Sequence, residues 1–211
     1  NKAAFKIEGR LTYSQELRRL DDEIRGHVLA DGLWDINDKW RTGLDVEWAS
    51  DDRYMRQYDI VNEDVLENQI YLERFSGRNY GSGRLLAFQD IRSGDAEQDQ
   101  PEVLPEIFTS FKGEAGAMPL LKGRWGLEAS ALGLRRDGDG QDVNRVSGKA
   151  EWFRRMVSDY GFLTTANAAA RWDFYSTRNR AVSTPGSNIS NSSTDTRFFP
   201  NFNVKTSYHF F

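Results

Sequence analysis

The chain has 211 residues, with 28 basic against 32 acidic side chains for a net charge of -4, two histidines and no cysteine. That balance argues against nucleic acid as a partner, and the lack of cysteine excludes disulfide scaffolds, thiolate metal sites and a cysteine nucleophile. Only 38% of residues are hydrophobic and no run nears the roughly 18 apolar residues of a spanning helix, but a transmembrane β-barrel escapes that test because only alternate residues meet lipid.

Asn1 opens directly into strand-like sequence, so the expectation is that a signal peptide has been removed or that the chain begins within a longer protein. Residues 3–13 read as a first strand, and 14–23 (SQELRRLDDE) allow a helical turn but lack the apolar periodicity of a packed helix. From Glu23 to Trp48 the alternation is nearly unbroken. Ile24, Gly26, Val28, Ala30, Gly32 and Trp34 share one phase, and Glu23, Arg25, His27, Asp31 and Asp35 the other. After a turn at Asn37-Asp38, Trp40, Thr42, Leu44, Val46 and Trp48 oppose Arg41, Asp45 and Glu47. Strand side chains alternate between faces, so each segment has one greasy and one wet face, at about the ten-residue length of a tilted spanning strand.

Further strands are expected at 63–76, 79–90, 103–112, 120–136, 144–157, 160–175 and 198–211, about ten in all. In 79–90 the small phase of Gly81, Gly83, Leu85 and Ala87 competes with Tyr80, Leu86 and Phe88, which suggests a crowded lumen or a tightly coiled sheet. In 160–175, Phe162, Ala166, Ala168, Ala170, Trp172 and Phe174 oppose Asn167, Arg171 and Asp173. In the last strand Phe202, Val204, Thr206, Tyr208 and Phe210 lie in phase; Phe211 falls on the wet phase, so it is expected to be a cut point rather than a native terminus.

Connections alternate in length. Those at 36–39, 76–79 and 158–159 are tight, whereas 14–22, 51–62, 90–101, 137–143 and 176–196 are longer and polar; 113–123 is long for its side. Short turns on one rim and long loops on the other mark an outer-membrane barrel, with the short turns, and here both chain ends, periplasmic. The aromatics Trp34, Trp40, Trp48, Tyr71, Phe75, Tyr80 and Phe88 sit mostly near segment ends, as interfacial girdles would. A soluble β-sandwich with an aromatic core is the plainer alternative.

No enzyme emerges. Asp137, Asp139 and Asp142 resemble the start of a calcium loop, but Asp142 and Gly148 hold the places that require glycine and a bidentate glutamate, so a polar hairpin loop is the better reading. His27 and His209 lie on separate strands without a cluster of partners and read as lumen-facing polar residues. Asp51 and Asp52 are adjacent, so they point apart, and no nucleophile is near. Asn188 and Asn191 fall in N-x-S matches within 187–194, which reads as a flexible polar loop. No catalytic, cofactor-binding or metal-binding residue is assigned, no cofactor is expected, and no ligand-binding residue is singled out.

Several strings together resemble the barrel of the LPS-assembly outer-membrane protein family LptD, also called organic solvent tolerance protein. They are INDKWRTGLDVEWASDDRYMRQYD from Ile36 to Asp59, with Trp40-Arg41, Ser50-Asp51, Tyr54 and Tyr58-Asp59; the stretch Gln69 to Gln89 with its AFQD end; VLPEI at Val103 to Ile107; and RFFPNFNV at Arg197 to Val204. Their order and spacing carry the resemblance over most of the chain. It implies an all-β antiparallel transmembrane barrel segment of about ten meander strands within a larger barrel of about 26, all of 1–211 being one barrel domain of the Gram-negative cell outer membrane.

The implied function is lipopolysaccharide (LPS) transport and assembly into the outer leaflet, not catalysis. The implied partners are LPS, outer-membrane lipids, an LptE-type lipoprotein plug and the periplasmic LPS-transport bridge. The family's jellyroll, gate strands and disulfide cysteines have no counterpart here, so no gate residue is assigned to any position. The wet phases, including Arg25, Asp45, Glu47, Glu67, Gln69, Lys149, Asn167 and Arg171, would line the lumen. A passive porin-like channel, for which ten strands would be a complete barrel, and a soluble β-rich binding module stand as alternatives.

Overall fold

The computed structural model describes residues 2–14, 23–50, 55, 58–60, 63–92, 101–114, 122–136, 141–181 and 190–208. Its ten strands are β1 (Lys2–Ser14), β2 (Glu23–Asn37), β3 (Trp40–Ala49), β4 (Val65–Ser76), β5 (Asn79–Asp90), β6 (Glu102–Gly113), β7 (Arg124–Arg135), β8 (Asp142–Val157), β9 (Phe162–Ala181) and β10 (Ser190–Tyr208). They form one antiparallel sheet in strict chain order, β1 to β10. The sheet is open: among the described residues β1 pairs only with β2, and β10 only with β9.

Local chemistry sets the short-turn rim. Asn37 closes the β2–β3 turn by accepting hydrogen bonds at Oδ1 from the Lys39 and Trp40 amides, at 2.9 and 3.0 Å, the Asx geometry that makes asparagine a turn residue. Gly77, at φ 59°, opens the two-residue β4–β5 turn, where a side chain would be strained. At the β8–β9 turn the Gly161 amide donates to the Ser158 carbonyl at 3.0 Å and Gly161 takes φ 83°. β6 ends and β7 begins at the same rim, and the ten residues between them, 114–123, make a longer connection than these three.

Several ladders carry register shifts, and two interruptions have a plain chemical cause. β3 and β4 pair only from Trp40↔Arg74 to Asp45↔Gln69. Beyond that point side-chain amides take over. Asn68 accepts from the Glu47 amide and donates to the Glu47 carbonyl, both at 3.0 Å, and Gln89 does the same for Ala49 at 3.1 and 2.7 Å. Buried backbone groups must be paired by something, and here two carboxamides stand in for a strand. The second interruption is a register shift in β6 between Val103 and Glu106, around Pro105, which has no amide to give to a ladder. Gly133 faces that bulge, and a Cβ there would lie 2.2 Å from the Leu104 carbonyl oxygen.

A small core of Ala49, Met55, Leu66 and Ile91 sits at the long-loop end, with Leu29, Tyr58 and Ile60 packed on it. The described residues between β3 and β4 lie against the sheet there: Arg10 lies over the Tyr58 ring at 5.2 Å, and the Ser50 Oγ accepts from the Gly26 amide at 2.9 Å.

Three expectations need correction. The 176–196 loop is mostly strand: β9 runs to Ala181 and β10 starts at Ser190, so the polar stretch 187–194 is in part β10. Beyond the membrane both faces of a hairpin are wet, so the alternation that marks a strand disappears although the ladder continues. The strand expected at 120–136 starts at Arg124, and the one expected at 160–175 starts at Phe162. Gly81 and Gly83 do not mark a crowded lumen. They share the face of Leu85, opposite the wet phase, and a Cβ on Gly83 would meet nothing within 4 Å. The 14–23 segment is described only at Ser14 and Glu23; its interior lies outside the described residues.

Candidate functional site

The register assembles two continuous faces. On one, Val28↔Trp48, Ala30↔Val46, Gly32↔Leu44 and Trp34↔Thr42 join β2 to β3, and Leu44↔Ile70↔Leu85 continues across β4 and β5. Trp125↔Trp152↔Ala168↔Phe202 carries the same face through β7–β10. Many of its aromatics fall in two rows. Trp34, Trp40, Trp125, Trp152, Phe162 and Tyr208 lie toward the short turns, and Trp48, Trp172 and Phe198 toward the long loops. Eight residues separate Trp40 from Trp48 and ten separate Phe162 from Trp172. At ~3.4 Å per residue and a tilt near ~40°, the rows stand about 20–26 Å apart in depth, which brackets the ~25 Å apolar band of outer-membrane barrels.

Between these rows the described residues on this face are aliphatic, small or uncharged. Charged side chains come at the rows or beyond them: Arg74 and Arg154 at the short-turn end, Arg135 and Arg178 at the long-loop end. Arg74 lies over the Trp40 ring at 5.8 Å, the interfacial pose of a snorkelling arginine. Ile70, Leu85, Ile107, Leu127 and Val146 are all exposed, a contiguous apolar band that hydrocarbon tolerates and water does not.

The opposite face is wet and cross-linked. Arg25, Asp45, Glu47, Glu67, Gln69, Lys149, Asn167 and Arg171 all fall on it by register. Asp35 accepts from Arg41 at 2.9 Å, Asp45 from Gln69 at 2.7 Å and Glu73 from the Tyr80 hydroxyl at 2.7 Å. Lys112 joins Glu128 and Glu151 at 3.0 and 2.8 Å, and Lys149 reaches Glu151 at 2.9 Å. Asp173, only 3% exposed, is held by Arg171 at 2.9 Å, by Arg145 at 3.3 Å and by the Ser147 hydroxyl. Just beyond β5, the hydrogen bond to Asp90 holds the Arg92 guanidinium above its ordinary range. A hollow of about 520 Å³ opens on this face, with Asp45, Gln69, Glu73, Tyr80 and Arg84 in its lining.

Not all the expected girdle residues belong to a girdle. Tyr71↔Arg84, Phe75↔Tyr80 and Glu67↔Phe88 put Tyr71, Phe75, Tyr80 and Phe88 on the wet face. The Tyr71 ring lies over Gly43, where a Cβ would be 2.3 Å away, and Phe75 and Tyr80 pair at 5.3 Å between ring centroids. The Tyr71 ring fills the wet wall over a small partner, and the Tyr80 hydroxyl reaches the Glu73 carboxylate.

Among the candidates for chemistry, His27 lies on the wet face opposite Ala49 and is 3% exposed. Asp142 and Asn191 sit in β8 and β10. Asp51, Asp52, Asp137, Asp139, Asn188 and His209 lie outside the described residues, as do Tyr54, Phe210 and Phe211. Among the described residues no cluster of three or more His, Asp or Glu is placed to hold a metal. The Lys112–Glu128–Lys149–Glu151 network was not foreseen, because its members lie on three strands and meet only once the register is known.

Residues 23–211 match the family described as LPS transport system D, LptD. The chain belongs to the LptD family. No curated protein matches it significantly. The LptD family serves LPS transport in the outer membrane of the Gram-negative envelope, and the β-sheet of this chain is consistent with a transmembrane β-barrel segment. Ten strands in an open sheet are the partial barrel expected of such a segment. The soluble-module alternative is thereby set aside, and the ten-stranded porin fails because β1 and β10 are not paired with each other among the described residues.

Proposed function

We propose that residues 1–211 form a single barrel-wall domain in the cell outer membrane, which carries LPS to the outer leaflet. The observation that carries this reading is the division of one sheet into an apolar band between two aromatic rows and a wall of paired charges. LPS has a phosphorylated sugar head and acyl chains; a wet lumen accommodates the first and the surrounding membrane the second. Arg25, Asp45, Glu47, Glu67, Gln69, Lys149, Asn167 and Arg171 line that lumen. The edges of β1 and β10 pair with further barrel strands, since unpaired ladder groups are intolerable in lipid. An LptE-type lipoprotein plugs the lumen and the periplasmic bridge delivers LPS at the short-turn rim. The chain performs no catalysis.

The test is depletion of the full-length protein in its host, with surface LPS measured on intact cells alongside the abundance of other outer-membrane barrels. Surface LPS should fall while LPS accumulates behind the outer membrane and the other barrels persist. Unchanged surface LPS with a loss of small-solute uptake would favour a channel instead.

A further inference from the structure

On the wet face of β6–β10 the cations fall into two groups. Deeper in the wall each has a carboxylate: Lys112 and Lys149 share Glu128 and Glu151, Arg145 and Arg171 share Asp173, and Arg197 holds Asp195. Toward the short-turn rim, the side chains of Arg124, Arg155 and Lys205 have no hydrogen-bond or ion-pair partner among the described residues, and all three are exposed.

The register brings these three together. Arg124↔Phe153↔Asn167↔Asn203 is one row on the wet face, and Arg155↔Thr165↔Lys205 is the next. With strands ~4.8 Å apart and same-face neighbours ~6.8 Å apart along a strand, the backbone of Arg155 is about 8 Å from Arg124 and about 10 Å from Lys205. Long side chains close such gaps around one anionic group. Phe153 lies between them, 43% exposed, and the amides of Asn167 and Asn203 follow it in the row.

These features select a ligand class. A bare phosphate would use the cations and leave the aromatic ring idle. An acidic protein segment would use the cations and bring no particular need for a ring beside two carboxamides. A phosphorylated sugar uses all of them: the cations take phosphate oxygens, the amides bond hydroxyls, and the ring packs on the apolar face of the pyranose. We propose that the short-turn end of this wall is a binding site for the phosphorylated sugar head of a glycolipid, with Arg124, Arg155 and Lys205 as phosphate ligands and Phe153 as the platform. The proposal rests on the LPS-transport reading above, since that lipid supplies such a head at this rim.

The experiment replaces Thr165, between Arg155 and Lys205, with a photo-crosslinking residue in the full-length protein in its native membrane. Gln69, on the wet face of β4, serves as the comparison position. A glycolipid adduct is expected at Thr165. Each lost charge-assisted contact should weaken binding about ten-fold, so the adduct should fall at least that far in Arg155→Gln/Lys205→Gln and persist in Arg154→Gln, which alters the opposite face. Heat-modifiable gel migration checks folding, and the single exposed variant Lys205→Gln replaces the double one if that does not fold. Undiminished adduct in the folded variants overturns the proposal, as does an adduct with protein alone or with a sugar phosphate lacking lipid. Adduct at Gln69 but not at Thr165 overturns this site and leaves the transport reading standing. Adduct at neither position overturns both.

Discussion

Leu44, Val46 and Glu47 lie within four residues of one strand and separate depth from face. Leu44 is midway between Trp40 and Trp48 on the apolar face, Val46 is one step nearer the long-loop row, and Glu47 is on the wet face. Leu44→Arg puts a charge at mid-depth in hydrocarbon and should cost about 2–4 kcal/mol, while Val46→Arg, closer to the interface, should cost less. Glu47→Arg reverses a hydrated charge, where screening should hold the loss to about 1 kcal/mol or less. Folding yield into detergent or lipid should therefore rank Glu47→Arg above Val46→Arg above Leu44→Arg, and equal yields would mean that the faces are misassigned. The carboxamide clasp makes a second test at this scale. Asn68→Ala and Gln89→Ala each leave a backbone amide and a carbonyl of β3 unpaired, at a cost of about 1–3 kcal/mol for the desolvated groups. Urea unfolding from bilayers should show the loss for both, and an unshifted midpoint would mean that water replaces the clasp.

At the level of the strand, what the sequence reveals depends on solvent. β2 and β3 were legible because one side meets lipid and the other water, so Val28, Ala30, Leu44 and Val46 alternate with Asp31, Asp45 and Glu47. The outer part of the β9–β10 hairpin was not, because Thr177 and Ser193 hydrogen-bond at 2.7 Å between segments, 176–180 and 190–196, that are polar on both phases. The divergence of β3 from β4 was hidden too: Asn68 and Gln89 read as ordinary strand residues until their partners Glu47 and Ala49 are placed beside them. Of the candidate site, the wet-phase residues were legible from alternation alone, whereas the hollow beside Glu73 and Tyr80 depends on cross-strand register. Glycine also reads differently by place. Gly133→Ala would drive a Cβ to 2.2 Å from the Leu104 carbonyl, backbone that cannot rotate aside, whereas Gly148→Ala meets nothing within 4 Å. Thermal or urea stability should fall by about 1–3 kcal/mol for Gly133→Ala and hold for Gly148→Ala; equal losses would mean that β6 relaxes away from its bulge.

For the molecule as a whole, the rims decide which way the wall faces. The turns at 38–39, 77–78 and 158–161 lie on one rim, and the strand ends that flank the longer connections, Ser14 and Glu23, Ala49 and Val65, Asp90 and Glu102, Arg135 and Asp142, Ala181 and Ser190, lie on the other. Lys2 pairs with Asp35 beside the first short turn, and Tyr208 pairs with Phe162 beside the last, so β1 begins and β10 ends at the short-turn rim. A barrel whose lipid arrives from the periplasm must present that rim inward, because short turns are periplasmic and long loops extracellular in this class. The hairpin of β9 and β10, 20 and 19 residues long, far exceeds the ~9–11 residues that span a bilayer, and its excess lies on the long-loop side, where it would project from the cell. Epitope tags at Ser93 and Ser187, which lie outside the described residues within two of the long connections, should therefore be reachable by antibody on intact cells expressing the full-length protein. A tag inserted at Asp38 should bind antibody only after the outer membrane is permeabilised. The reverse pattern would invert the wall, placing the cations Arg124, Arg155 and Lys205 at the exit of the path instead of its entrance.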